Sequence, residues 1–296
     1  MSAYLGVDIG GTKTAVGLVG ADGTVLARHV AETPAKEGPA AIVDAVVAVA
    51  AGMPAVACGV GTAGTVDDHG RITASTDSLA AWEGTDLRSV LATRLGLPVV
   101  VVNDVHAMAV GETVHGAAAG ARDAFVVAIG TGIGGALVCD GVVRHGRTGM
   151  AGSIGHVPAL VPPDLPAEPV PRCPCGALGH LEAYASGPAI AGGAPLERLA
   201  ERGDAATLRA IHRAGLILGH TLGAYVTLLD PDVLVLGGGV TGLGALLLEP
   251  AERALRAQAR PGPAAVPLRT AALGTDGVLV GAATLAQRMA QKEVTR

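Results

Sequence analysis

The sequence predicts a mixed-sheet α/β protein made of two related lobes with a cleft between them. Three observations support this. Residues 4 to 29 (YLGVDIGGTKTAVGLVGADGTVLARH) and 125 to 146 (FVVAIGTGIGGALVCDGVVRHG) share one plan: an apolar run, a Gly/Thr turn, a second apolar run, a polar turn and a third strand. Downstream of each copy, apolar runs of strand length alternate with stretches of helical period. At 296 residues the chain suits two domains of ordinary size better than one core.

Taken in order, each copy opens as a β-meander. Between the copies, Pro39 to Ala51 reads as an Ala/Val helix, Ala55 to Val60 as a short strand and Leu87 to Leu95 as a helix. Four valines at 99 to 102 read as a strand. It runs into Asn103-Asp104, whose side chains suit the cap of a helix through Val105 to Glu112. Val157 to Arg172 is proline-rich and reads as an irregular insertion, followed by CPCGALGHLE at 173 to 182. A long helix is expected over roughly Asp204 to Leu229, where Ile211, Leu218, Leu222, Val226 and Leu229 recur at helical spacing. The strand Val233 to Leu236 then meets three glycines, and two helices finish the chain. The expected division is an N-terminal lobe of 1–110, completed by a C-terminal helix of 278–296, and a second lobe of 111–277.

Composition narrows the classes of function. The net charge of -5 is spread without a Lys/Arg cluster, and there is one Trp and one Phe. Nucleic acid is therefore not an expected partner, because it needs a basic face or stacking platforms. Half the residues are apolar and the mean hydropathy is +0.47. The longest apolar stretch, Ala40 to Val60, is interrupted by Asp44, Gly52 and Pro54, so it reads as a buried helix and strand, with no membrane partner expected. Four cysteines and no secretory pattern at Met1 to Gly10 point to a cytoplasmic chain without disulfides. Cys58 and Cys139 lie in strand-like apolar runs and are expected to be buried, inert thiols.

The glycine turns suit phosphate. In DIGGTKT (8 to 14), Gly10 and Gly11 let the backbone approach a ligand, while Thr12 and Lys13 add a hydroxyl and a cation. IGTGIGG (129 to 135) presents Thr131 and Gly132 at the tip of the matching turn. Neither is a Walker A loop or a dinucleotide fingerprint, and either turn alone also serves simply to close a hairpin.

These residues resemble those of the ROK family (repressor, open reading frame, kinase), sugar kinases of the actin-like ATPase superfamily, bacterial glucokinases being the nearest kind. The resemblance rests on Asp8-x-Gly-Gly-Thr-Lys, Asn103-Asp104 with Glu112 on the following helix, Gly130-Thr131-Gly132-x-Gly, AGSIGH (151 to 156), CPCGALGHLE and DPDVLVLGGGV (230 to 240). It implies a two-lobed, ribonuclease H-like fold with duplicated mixed sheets, and transfer of the γ-phosphate of Mg-ATP to the primary hydroxyl of a sugar. By the same resemblance Asp104 is the general base, Asp8 positions Mg²⁺ through water, and Gly10, Gly11, Thr12, Lys13, Thr131 and Gly132 line the phosphates. Gly237, Gly238 and Gly239 face adenosine, or form no more than a tight turn. Gly64, Asn103, Asp104, Ser153, His156 and Glu182 bind the sugar. Family members often form dimers, so a homodimer is expected.

Two departures stand out. The family holds zinc with a histidine and three cysteines, and the metal orients the histidine toward the sugar. Here His180 replaces the third cysteine, leaving a Cys₂His₂ set of His156, Cys173, Cys175 and His180. The family pattern Ala-Gly-Glu-x-Gly-His also loses its glutamate, which accepts hydrogen bonds from hydroxyls near C1 and C2, because Ser153 stands there. Asp77, where glucokinase-like members often carry asparagine, suits an amine. The expected substrate is accordingly a modified sugar of antibiotic pathways, an amino sugar such as kanosamine or a C7-cyclitol of the valiolone type. The alternatives are ordinary glucokinase, with Ser153 only weakening glucose binding, and a non-catalytic sugar sensor. A repressor of this family carries a helix-turn-helix ahead of the first strand; with a first strand read at Tyr4, a repressor is not the expected class.

Overall fold

The computed structural model describes residues 2–75, 78–192, 196, 201 and 203–294; Asp77 lies outside the described residues. The chain divides into two compact units. One comprises Met1–Gly120, Val142–Ala151 and Ala272–Arg296, the other Ala121–Gly141 and Gly152–Ala271.

In the first unit, β1 (Ala3–Ile9), β2 (Lys13–Gly20) and β3 (Val25–Glu32) form an antiparallel meander, followed by α1 (Pro39–Ala50). The strand β4 (Cys58–Thr62) then pairs parallel to β1. A two-stranded hairpin of β5 (Thr65–Val66) and β6 (Ile72–Ala74) leads to α2 (Leu87–Leu95), and β7 (Val99–Asn103) pairs parallel to β4. The sheet order is β3-β2-β1-β4-β7, and α3 (Asp104–His115) leaves directly from its edge. One face buries Leu5, Val7, Ile9 and Val16 against Ile42, Val46, Leu87 and Trp82.

In the second unit, β8 (Ala124–Ile129) and β9 (Ile133–Cys139) repeat the antiparallel hairpin. The strand β10 (Val142–Arg144) belongs to the segment that returns to the first unit. Short helices α4 (Glu182–Ala185) and α5 (Gly187–Ala191) precede the long α6 (Ala205–Leu229). Then come β11 (Val233–Gly237), α7 (Ala245–Gln258) and β12 (Leu268–Thr270), giving the order β9-β8-β11-β12 with β11 parallel to both neighbours. All five residues of β11 are buried, as befits a parallel strand covered on both faces. The helix α6 starts at Asp204, whose carboxylate accepts the Thr207 N–H, and ends at Asp230 in the left-handed region (φ 45°).

The C-terminal helix α8 (Gly277–Val294) belongs to the first unit, where Leu279, Val280, Ala283 and Ala286 pack with Tyr4, Ala15 and Val19. Its approach to the sheet and to α3 needs missing side chains: a Cβ on Gly59 would strike the Ala282 carbonyl, and one on Gly281 the Ala107 carbonyl.

Several expectations change in detail. The strand expected at 55 to 60 lies at 58 to 62, because the chain first passes Met53-Pro54. The strands β5, β6 and β12, two or three residues each, carry no readable period. Cys139, expected to be buried, is half-exposed, because it closes β9 beside the Asp140-Gly141 turn; Cys58 is fully buried. The proline-rich insertion is pinned by Arg213, which donates to the Pro166 carbonyl at 3.1 Å and pairs with Glu168.

Candidate active site

The first glycine turn is set by strand register. Ile9 pairs with Thr14, so Gly10 to Lys13 close the hairpin, with the Gly10 N–H donating to the Lys13 carbonyl at 3.0 Å. Thr33 holds the turn from behind: its hydroxyl donates to the Gly10 carbonyl at 2.7 Å and its N–H to that of Thr12 at 3.0 Å. Thr12 and Lys13 are left exposed.

Asp8 sits one residue before the end of β1. Its carboxyl is raised to about 7, chiefly by desolvation and further by the charge of Asp104, with Arg28 opposing. Asp104 is the first residue of α3. Asn103 caps that helix, its Oδ1 accepting the N–H groups of Val105 at 2.9 Å and His106 at 3.3 Å, while its Nδ2 donates to the Gly64 carbonyl at 3.0 Å. Gly64 lies at φ +100°, and a Cβ there would press on the Ala74 carbonyl. The Asp104 carboxylate accepts the Val105 N–H at 2.8 Å, yet burial raises it to about 6, outweighing the hydrogen bonds that lower it. Capping and a reactive carboxyl therefore coexist on adjacent residues. Such a carboxyl is half ionised just below neutrality and is matched to accept a proton.

In the second unit, β8 and β9 pair up to Ile129 opposite Ile133, and the Gly130 N–H donates to the Gly132 carbonyl at 2.8 Å. The N–H groups of Thr131 and Gly132 donate to nothing among the described residues, which is the arrangement an anion-binding turn needs. Gly238 (φ +86°) packs directly on the Ile129 backbone, where any Cβ would collide, and its carbonyl accepts the Thr241 hydroxyl at 2.7 Å. Gly238 thus borders the second glycine turn. Ser153 is half-buried, and its hydroxyl has no partner among the described residues.

His156, Cys173, Cys175 and His180 come together, with their ligating atoms all within 4.8 Å of one another. Cys173 Sγ lies 3.8 Å from His156 Nδ1 and Cys175 Sγ 3.2 Å from His180 Nδ1. A tight turn, in which the Gly176 N–H donates to the Cys173 carbonyl and the Cys173 N–H to that of Ala177, presents both sulfurs. Burial pushes the Cys173 thiol up to about 12, so deprotonating it needs a nearby cation. Two sulfurs and two imidazoles converging at this spacing fit a tetrahedral zinc ion.

Glu182, expected to contact the sugar, has two partners within its own unit. Its Oε2 accepts the Ile133 N–H at 2.9 Å, and its Oε1 lies 3.7 Å from Cys173 Sγ.

Three features escaped sequence reasoning. His106 and His145 form an edge-to-face pair, with Nδ1 atoms 3.2 Å apart, and His106 Nε2 reaches the Ala151 carbonyl at 3.1 Å. Thr33, just past β3, holds the first turn, and the charge of Arg28, on β3, bears on Asp8. None has a spacing that marks it, because each contact joins residues distant in sequence.

Two sheets that each open on a glycine turn, with an aspartate at one strand end and an Asn-Asp helix cap beside it, define an actin-like ATPase fold. The chain belongs to the ROK family, whose profile matches residues 4–289. It is 32% identical to a glucokinase of Streptomyces coelicolor over 97% of this chain and 98% of that one. It is 33% identical to an N-acetylmannosamine kinase of Shigella boydii over 96% and 98%. Among solved structures, a ROK family glucokinase of Streptomyces griseus in complex with glucose and AMPPNP superposes with a TM-score of 0.83 at 32% identity, covering 97% of this chain and all of that one. Among the described residues no helix is long and apolar enough to cross a membrane.

Proposed function

We propose that the protein is an ATP-dependent sugar kinase that transfers the γ-phosphate to the primary hydroxyl of a glucose-like substrate. The observation that carries this reading is Asp104, a carboxyl held near 6 at a helix start, beside an asparagine pinned to the Gly64 carbonyl. The sugar hydroxyl gives its proton to Asp104 as its oxygen bonds to the γ-phosphorus, and the bond to the β-phosphate oxygen breaks to release ADP. Gly64, Asn103, Ser153, His156 and Glu182 are the sugar-binding residues of this reading, on the strength of the family resemblance. Gly10, Gly11, Thr12, Lys13, Thr131 and Gly132 hold phosphates, and Gly237 to Gly239 hold adenosine. Asp8 would hold Mg²⁺, which neutralises phosphate charge. His156, Cys173, Cys175 and His180 would hold zinc, which fixes the ring of His156.

We favour a modified sugar, an amino sugar such as kanosamine or a C7-cyclitol, because Ser153 offers a neutral hydroxyl, without a partner among the described residues, in place of a carboxylate. Similarity to glucokinases and to N-acetylmannosamine kinases is nearly equal and does not choose between substrates. Ordinary glucokinase is the second reading, supported by the glucokinase relatives.

An ADP-release assay over glucose, mannose, N-acetyl sugars, kanosamine and cyclitols tests the proposal. Turnover with none of them ends the kinase reading, and turnover with glucose alone ends the modified-sugar reading. Asp104→Asn should lose about 10²- to 10⁴-fold in turnover while still binding sugar; undiminished turnover removes Asp104 as the base. Elemental analysis should return one zinc per chain, and an active zinc-free enzyme removes the clip from the mechanism.

A further inference from the structure

The residue that links the metal cluster to the second glycine turn is Glu182. It is 7% exposed, and its two oxygens face different partners: Oε2 accepts the Ile133 N–H at 2.9 Å, and Oε1 lies 3.7 Å from Cys173 Sγ. Five residues on, the Gly187 N–H donates to the Gly130 carbonyl at 2.8 Å. The stretch from Glu182 to Gly187 therefore grips the turn at both ends, taking a donor at Ile133 and supplying one at Gly130. Between those points the Thr131 and Gly132 N–H groups donate to nothing among the described residues. The fit is close: a Cβ on Gly132 would stand 2.6 Å from Glu182 Oε2, so the carboxylate fills the space that a side chain on the turn would need.

We infer that Glu182 is a positioning residue for the nucleotide, holding the Gly130–Ile133 turn in the shape that aims the Thr131 and Gly132 N–H groups at phosphate. This rests on the sugar-kinase reading and adds to it. A residue that touched only sugar would leave nucleotide affinity unchanged when removed. Removing this one leaves the buried Ile133 N–H without its acceptor, and the turn must move to find another. The same carboxylate borders Cys173, so the metal cluster and the phosphate turn share one anchor.

The test is calorimetric titration of Mg-ADP without sugar, with sugar affinity measured separately without nucleotide, on the wild type, Glu182→Ala and Glu182→Gln. Glu182→Ala should weaken Mg-ADP at least tenfold and raise the KM for ATP. Glu182→Gln, whose amide oxygen still accepts from Ile133, should restore most of that loss. Nucleotide affinity within twofold of wild type in Glu182→Ala, with sugar affinity reduced, overturns the inference. So does a Gln variant as weak as Ala, since charge rather than the bond then matters. If Glu182→Ala does not fold, Glu182→Asp, one methylene shorter and unable to reach Ile133, is judged by the same criterion. A wild type that binds no Mg-ADP strikes the kinase reading instead, which keeps the two failures distinguishable.

Discussion

Asp8 and Asp104 show how one unit makes two carboxyls reactive by removing water. Burial is the first cause in both, and each gives the pH dependence a definite sign. In the proposed reaction Asp104, raised to about 6, must be ionised to accept a proton, so kcat/KM should rise through about pH 6 and level off above it. Asp8, raised from 3.8 to about 7, acts on stability. Between those values the folded state binds more protons than the unfolded chain, so its contribution is full below pH 3.8 and is lost as pH rises through about 7. Asp8→Asn should therefore stabilise the metal-free protein at pH 8 by roughly 2–4 kcal/mol and leave it little changed at pH 4, as measured by urea unfolding at both values. Equal effects at both would remove the assignment. The Asn103-Asp104 pair was legible in the sequence because a run of valines ended in cap residues. The two raised pKa values were not, since they depend on how completely the fold excludes water.

At the scale of elements, the long periodic segments were the readable ones. The helix α6 announced itself through Ile211, Leu218, Leu222 and Val226, all now buried. Its glycines were silent, yet they decide how closely its neighbour packs. Gly215, Gly219 and Gly223 recur every four residues along one face, and Cβ atoms there would meet the carbonyls of Leu247, Ala251 and Leu255 on α7. A leucine pattern reports that a helix has a core face; it does not report the distance at which a partner lies. Gly219→Ala would gain helix propensity on an isolated helix, but here the methyl has no space beside the Ala251 carbonyl. Overpacking should win and destabilise the protein by about 1–3 kcal/mol in denaturant unfolding. Gly242→Ala, where nothing lies within 4 Å of the added carbon, is the control and should change stability by less than about 0.5 kcal/mol. Similar losses for both would show that the close packing carries no penalty.

At the scale of the whole molecule, the internal repeat was visible as self-similarity, whereas the path of the chain was not. The first unit is assembled from three separate segments, and its helix α3 holds on to two that return. His106 reaches the Ala151 carbonyl at the end of one, and because Nε2 donates there, its Nδ1 accepts from His145. At the other end of α3, Glu112 is fully buried, and its carboxylate accepts the N–H groups of Ala117 at 2.7 Å, Ala272 at 3.0 Å and Leu273 at 2.9 Å. Two of those donors are about 160 residues away in sequence, where no local pattern could join them to a glutamate. They lie where the chain re-enters the first unit and α8 begins. Glu112→Ala leaves these donors without their charged acceptor and should destabilise the protein by about 3 kcal/mol or more. Amide exchange measured over 270–280 should accelerate with it, since the segment loses its anchor. Unchanged exchange there, with stability within about 0.5 kcal/mol of wild type, would mean that helix packing alone fixes the returning chain.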